Sequence, residues 1–507
     1  MAKTIMIQGT ASNVGKSLMA AGLCRIFKQD GYRVAPFKSQ NMALNSYITR
    51  EGLEMGRAQV VQAEAAGIEP HTDMNPILLK PTGDTRSQVI VQGEILGDQS
   101  AEHYYSHKKA FEPRIRESFE RLCRAYDIIV LEGAGSPAEI NLKEQDMVNM
   151  YMARLAKAPV LLVGDIDRGG VFASLVGTLF LFTPEERDFV KGVVINKFRG
   201  SRAILEPGLR QMEGLIHKPV LGVIPHIKID IDDEDSLTER FTGAPQNDPS
   251  RPPLADIGVI RFPRISNFTD FNVLSRLPGV RLRYVDAPEK LGNPGLIILP
   301  GTKNTMGDLR WLVQNGLASG IRKFAEGGTP VFGICGGYQM LGRTLRDPHG
   351  VEGGGTMEGL GLLPVTTVFE KEKTRTRVQG TFAALGGILK PLSGMDLEGY
   401  EVHMGISEGE AGGTGYLADI RDSNTGIAKQ DGLYSGNVYG SYIHGLFDAG
   451  NIAQALVKAL SGDTEAVPTG TESGWKAYKE KQYDTLADCL RTHLDMERVY
   501  QILEEGI

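Results

Sequence analysis

Short, wholly apolar runs recur through the first half of the chain, and each ends in polar residues. Thr4-Ile5-Met6-Ile7-Gln8 leads to Gly9-Thr10, Asp127-Ile128-Ile129-Val130-Leu131 to Glu132-Gly133, and Ala158-Pro159-Val160-Leu161-Leu162-Val163 to Gly164-Asp165. Gly192-Val193-Val194-Ile195 leads to Asn196-Lys197, and Pro219-Val220-Leu221-Gly222-Val223-Ile224 to Pro225-His226. Unbroken apolar strands alternating with helical stretches predict a parallel sheet covered on both faces. Ligands of such sheets bind beyond the carboxyl ends of the strands, where these polar residues fall. A second series begins at Asp256-Ile257-Gly258-Val259-Ile260, continues through Leu296-Ile297-Ile298-Leu299 and Val331-Phe332, and reaches an alternating strand, Val438 to Phe447. The pattern predicts an α/β protein of two domains, 1–241 and 255–450, joined by a Pro-rich, polar linker at 242–254. Helical apolar spacing at Leu456, Val457 and Leu460, and again from Leu486 to Leu503, predicts a helical tail over 451–507 packed on the second domain.

The first strand runs straight into Gly9-Thr10-Ala11-Ser12-Asn13-Val14-Gly15-Lys16-Ser17, after which a helix begins. Strand, glycine-flanked loop, Lys-Ser and helix make a phosphate-binding loop, a P-loop, although five residues rather than four separate the glycines. Backbone N–H groups over Gly9, Thr10, Asn13 and Gly15 would cradle phosphate oxygens of ATP, and Lys16 would neutralise the β/γ charge. The Ser17 hydroxyl would ligate Mg²⁺, with the strand-end carboxylate Glu132 as its partner. Asn196, also at a strand end, suits recognition of a purine edge. Asp165 and Asp167 either cap the helix that follows or belong to the site.

In the second series, Gly333-Ile334-Cys335-Gly336-Gly337 joins a buried strand to a helix beginning Tyr338-Gln339-Met340-Leu341. A strand that bends into a helix through G-x-C-x-G has the logic of a nucleophile elbow, which pushes its central side chain outward. The adjoining helix N-terminus favours a thiolate. A buried cysteine in a Gly-rich turn is the plainer alternative. Cys24, Cys123, Cys335 and Cys489 are scattered without a C-x-x-C pair, which argues against a zinc site or a disulfide framework and points to a reducing cytoplasm.

Composition narrows the classes further. At 507 residues the chain exceeds one core, and 41% hydrophobic with 23% charged residues is ordinary for a soluble protein. A net charge of −7 leaves no basic footprint for nucleic acid. No apolar run is long enough to span a bilayer, and the first strand begins too early to leave room for a signal peptide.

The P-loop with Glu132-Gly133-Ala134-Gly135 resembles the ATP-dependent, carboxylate-activating dethiobiotin synthetase family. Lys38-Ser39-Gln40-Asn41-Met42-Ala43-Leu44-Asn45-Ser46 and Asp165-Ile166-Asp167-Arg168-Gly169-Gly170 narrow the resemblance to the cobyric acid synthase family. The strand ending Pro300-Gly301, the elbow and the late histidine His444 resemble, in that order, a class I glutamine amidotransferase domain of flavodoxin-like fold. The resemblance implies that Cys335 attacks the amide of glutamine and that His444 protonates the departing ammonia, then activates the water that hydrolyses the thioester. The N–H groups of Gly336 and Gly301 become the oxyanion donors. Gln339, one turn past the thiol, is either a glutamine contact or an ordinary helix-surface residue. The wider class usually has a glutamate two residues after this histidine; here Leu446 stands there, so another group must orient the ring. His403 comes too early for the base and is expected to be structural or substrate-facing.

ATP, Mg²⁺ and glutamine then serve one reaction. An acyl phosphate made in the P-loop domain is aminated by ammonia made in the other. The family implies a corrinoid substrate, adenosylcobyrinic acid a,c-diamide, amidated at b, d, e and g to adenosylcobyric acid. A cobyrinic acid a,c-diamide synthase shares both domain types. A partition-type switch ATPase would carry a signature lysine where this chain has Ala11.

Overall fold

A computed structural model describes residues 2–83, 85–232, 253–409, 415–462 and 474–507. The chain forms two compact units. The first comprises Met1–Ala43, Met55–Glu234 and Lys476–Ile507; the second comprises Leu44–Glu54 and Asp235–Trp475. Most of the expected linker, 242–254, lies outside the described residues.

The first unit is built on a six-stranded sheet. Its strands run, in spatial order, Val220–Pro225, Val190–Phe198, Val160–Asp165, Lys3–Gly9, Ile128–Glu132 and Val34–Phe37, and every pairing is parallel. The interior strands are buried along most of their length, which is why they read as continuous apolar runs rather than alternating ones. Lys3–Gly9 lies between strands that come much later in the chain, so the loop leaving it opens at a topological switch point, the usual ligand crevice of such sheets. The helix Lys16–Gln29 starts at Gly15, whose φ of 100° needs a residue without a β-carbon.

The second unit has a parallel sheet ordered Val280–Val285, Ala255–Ile260, Leu296–Leu299, Val331–Ile334 and Val438–Ser441, with Leu433–Ser435 added antiparallel at the edge. A long antiparallel hairpin, Val365–Phe382 with Asp396–Gly409, anchors a further sheet. The strand expected to run unbroken from Val438 to Phe447 changes sheets. Val438–Ser441 pairs with the elbow strand, whereas Ile443–His444 pairs antiparallel with Tyr400 and Glu401. Asp431 fixes the crossover by accepting from Ser441 Oγ at 2.6 Å and from the Tyr442 N–H at 3.0 Å.

The tail corrects an expectation. Helix Ile452–Ser461 packs into the second unit's core, but Gly474–His493 and Met496–Glu505 complete the first. Tyr483, Leu486, Leu490, Leu494, Val499 and Ile502 join the cluster around Ile5, Leu23 and Leu161. A β-carbon at Gly22 would lie 2.3 Å from Leu490 Cδ1, so that glycine is what lets the helices touch. Helical spacing tells that a face is buried; it does not tell against which unit. Leu490→Ala is therefore expected to cost about 2–4 kcal/mol in the unfolding transition that ATP shifts, measured by urea denaturation. A tail that does not belong to this unit would leave that transition unmoved.

Candidate active sites

In the second unit the elbow has the strain its sequence implies. Cys335 takes φ 52°, ψ −109°, a left-handed φ at a non-glycine residue, directly before the helix Gly336–Leu341. Strain of this kind persists only where the surroundings over-determine it. Here the Cys335 N–H donates to Ser441 O at 2.8 Å, and its carbonyl accepts from the Gln339 N–H at 3.0 Å. A β-carbon on Gly337 would sit 1.9 Å from the Leu299 carbonyl oxygen, so the helix can lie against that strand only with glycine there. A β-carbon on Gly336 would sit 3.2 Å from Thr302 N. Gly336 thus lies against the Gly301–Thr302 turn.

His444 is buried, and Cys335 lies near enough to act on its ring charge, while the thiol itself donates to the Val402 carbonyl at 3.6 Å. Its Nδ1 lies 2.7 Å from Asp270 Oδ2, and the other carboxylate oxygen accepts from the Gly445 N–H at 3.1 Å. This is the orienting group that Leu446 leaves vacant. Asp270 comes from the turn Phe268–Phe271 beyond the carboxyl end of Ala255–Ile260. Position after a strand end was the one sequence signal that could have found it. Burial alone would lower the imidazole pKa, but the Asp270 charge and hydrogen bond, together with Cys335, outweigh it and raise the value to about 10. His444 is thereby held as an imidazolium across neutral pH.

Gln339 is buried, which excludes a helix-surface role. Its Oε1 accepts from Thr305 Oγ1 at 3.0 Å and its Nε2 donates to Tyr442 Oη at 3.3 Å. His403 stacks on Tyr442 with ring centroids 3.8 Å apart and bonds Gly405 O through Nδ1 at 2.7 Å, a structural placement. Asp308 holds the Gly301–Thr302 turn from behind, through Thr302 Oγ1 and the Arg264 N–H. Burial pushes its carboxyl up to about 6.

In the first unit Lys16 Nζ is held by the carbonyls of Ala11 at 2.8 Å and Gly135 at 3.0 Å. Ser17 Oγ donates to Glu132 Oε1 at 2.8 Å. Glu132 is almost wholly buried and gathers Lys38, which opens the segment that narrowed the resemblance, with Gln59 and Gln62, which were not singled out from the sequence. Lys38 Nζ reaches Oε1 at 3.0 Å, while Gln62 Nε2 reaches Oε2 at 2.6 Å and Gln59 Nε2 lies 3.5 Å away. Lys38 stands right at the end of a strand, and Gln59 and Gln62 lie three apart on one helix face, so both signals were present. Gln62 Oε1 is left without a hydrogen-bond partner. A buried carboxylate with an adjoining hydroxyl offers oxygen donors of the kind Mg²⁺ takes.

Asn196 Nδ2 donates to Val14 O at 2.8 Å, and a β-carbon on Gly15 would meet it at 2.1 Å. It buttresses the loop backbone. The Thr10 N–H continues the sheet ladder to Val163 O at 3.0 Å, so Thr10 can offer phosphate its hydroxyl and not that N–H. Gly9 ends the first strand, and Asn13 lies in the loop at φ 60° with its carbonyl accepting from Lys197 Nζ at 2.7 Å. Asp165 pairs with Lys197 at 2.9 Å and Asp167 with Arg199 at 3.0 Å. Neither caps the next helix, which starts after Gly170.

Residues 5–237 match the family model described as the CobQ/CobB/MinD/ParA nucleotide binding domain, and residues 256–452 that of the CobB/CobQ-like glutamine amidotransferase domain. The chain is 59% identical over its whole length to the cobyric acid synthase of Ruminiclostridium cellulolyticum, covering 98% of that protein. It is 53% identical to that of Lachnoclostridium phytofermentans, with both chains fully covered. To that of Photorhabdus laumondii it is 52% identical, over 99% of this chain and 98% of the relative. A nucleotide-binding unit and a glutamine amidotransferase unit in one chain, matched end to end by these relatives, place this protein in the cobyric acid synthase family.

Proposed function

We propose that the protein uses ATP and glutamine to amidate corrin side-chain carboxylates, converting adenosylcobyrinic acid a,c-diamide at b, d, e and g to adenosylcobyric acid. The observation that carries the glutamine half is the buried series Cys335–His444–Asp270 beside the Gly336 and Gly301–Thr302 backbones. Cys335 sulfur attacks the glutamine amide carbon, and the oxyanion meets the N–H groups of Gly336 and the Gly301 turn. With Nδ1 fixed on Asp270, His444 works through Nε2. It delivers its proton to the departing ammonia and then removes one from the water that cleaves the thioester. Gln339, through Thr305 and Tyr442, orders the wall in which glutamine lies.

In the P-loop unit Gly9, Thr10, Asn13 and Gly15 shape the phosphate cradle, Lys16 takes up β/γ charge, and Asn196 keeps the loop in place. Ser17 and Glu132 are the residues that would hold Mg²⁺, which when bound neutralises phosphate charge. No helix among the described residues is long and apolar enough to cross a membrane.

Mass spectrometry of the product formed with adenosylcobyrinic acid a,c-diamide, ATP and glutamine is expected to show amides at b, d, e and g. A product amidated only at a and c from cobyrinic acid would overturn the assignment. Cys335→Ser is expected to abolish glutamine-driven amidation while ammonium still supports it, and Lys16→Ala to remove amidation with either nitrogen source. For Asp270→Asn the glutaminase kcat should fall about 10²–10⁴-fold. Its alkaline limb should also move to lower pH, because losing the carboxylate lets burial lower the His444 pKa. The sign extends to stability. A base whose folded pKa is raised from 6.5 to about 10 stabilises fully below 6.5 and loses that contribution as pH rises through about 10. The melting-temperature difference between wild type and Asp270→Asn should therefore be larger at pH 6 than at pH 10.

A further inference from the structure

The stretch Leu44–Glu54 lies in sequence inside the nucleotide-binding half, within residues matched to that family model, yet it belongs to the amidotransferase unit. It is folded back on itself, with the Thr49 N–H donating to Leu53 O at 2.8 Å. Ile48 is fully buried in a small cluster with Tyr400 and Val402. Glu54 and Lys373, both buried, pair at 2.7 Å. Such a pair adds little net stability, but removing either partner would leave a buried charge uncompensated.

Ser46 connects this stretch to both supports of His444. Its N–H donates to Asn267 Oδ1 at 3.3 Å, and its carbonyl accepts from Tyr400 Oη at 3.2 Å. Asn267, at φ 52°, begins the turn Phe268–Phe271 that carries Asp270. Tyr400 is the ladder partner of His444 and stacks on its ring, with centroids 5.4 Å apart at 26°. Tyr47 closes the far side of Tyr400, edge-on at 5.5 Å.

We propose that Leu44–Glu54 is a positioning brace for the glutaminase base, with Ser46 holding the Asp270 turn through Asn267 and the His444 ring through Tyr400. The inference rests on the reading of Cys335 and His444 given above. Asn267, Ser46 and Tyr400 do not touch the reacting atoms. They set where the imidazole sits, and misplacement of a catalytic group by about 1 Å can cost about 10²-fold. Losing one hydrogen bond of the brace shifts the geometry less, and one such bond contributes about 0.5–1.5 kcal/mol.

The test measures glutaminase kinetics in the full-length protein for Tyr400→Phe, which keeps the ring, and Asn267→Gly, which keeps the backbone conformation and removes the acceptor. Each should lower kcat about 2- to 13-fold, the hydrogen-bond range converted to a rate, with KM for glutamine and ammonium-driven amidation unchanged. Asn267→Asp, which retains an acceptor, should restore the rate. Because both bonds end on Ser46, the double variant Tyr400→Phe/Asn267→Gly should lose less than the product of the single losses. Wild-type kcat in both single variants, a change confined to KM, an Asp variant as slow as the Gly one, or fully multiplicative losses would each overturn the brace. Cys335→Ser in parallel separates the two readings. If it still hydrolyses glutamine, the site assignment itself fails; if it is dead while the brace variants are normal, only the brace fails.

Discussion

A carboxylate and an imidazole buried together, out of reach of water, must satisfy each other or not be charged at all. That constraint organises the amidotransferase unit. Asp270 uses both oxygens, one on the His444 ring and one on the Gly445 N–H, so ring position and local backbone are fixed by a single group. Its own turn must then be held rigid, and Asn267 at its start and the neighbouring aromatic rings supply that rigidity. The thiol side is fixed as firmly by the close contact of Gly337 with Leu299, which leaves no freedom in the elbow. Cys335 and His444 therefore arrive from separate elements, yet neither can move without breaking a buried contact.

The change of sheet at Tyr442 follows from the same requirement. A strand that continued beside Val331–Ile334 would carry its next residues along the parallel sheet, away from the hairpin that bears Tyr400. By leaving the ladder after Ser441, the chain sets His444 across from Tyr400 while Ser441 O still holds the Cys335 N–H. Asp431, whose carboxyl burial pushes up to about 7, makes the bend by bonding Ser441 and Tyr442 together. One short strand so connects the backbone of Cys335 to the side chain of His444.

What could be read from sequence and what could not divides along a physical line. Features set by neighbours in the chain were legible: apolar strands of a buried parallel sheet, the Gly15-Lys16-Ser17 loop and the Gly-flanked Cys335. Features set by contacts distant in sequence were not. Asp270 lies 174 residues from His444, and nothing local marks it except a place beyond a strand end. Lys38, Gln59 and Gln62 converge on Glu132 from two elements, and their composition alone says only that they are polar. The helices after Gly474 show the limit most clearly, since amphipathic spacing defines a buried face without naming its partner.

Those same helices and the Leu44–Glu54 stretch bear on why both activities share one chain. Lys476–Ile507 follows the amidotransferase unit in sequence but completes the core of the P-loop unit, with Leu490 filling the space that Gly22 leaves. Leu44–Glu54 runs the other way, leaving the P-loop unit to join the unit that holds His444. Each unit is thus finished by chain from the far side of residues 242–254. Residues 1–234 alone would lack the last helices of the P-loop unit, and residues 235–475 alone would lack Ser46. The fused arrangement is in this sense a property of the two cores.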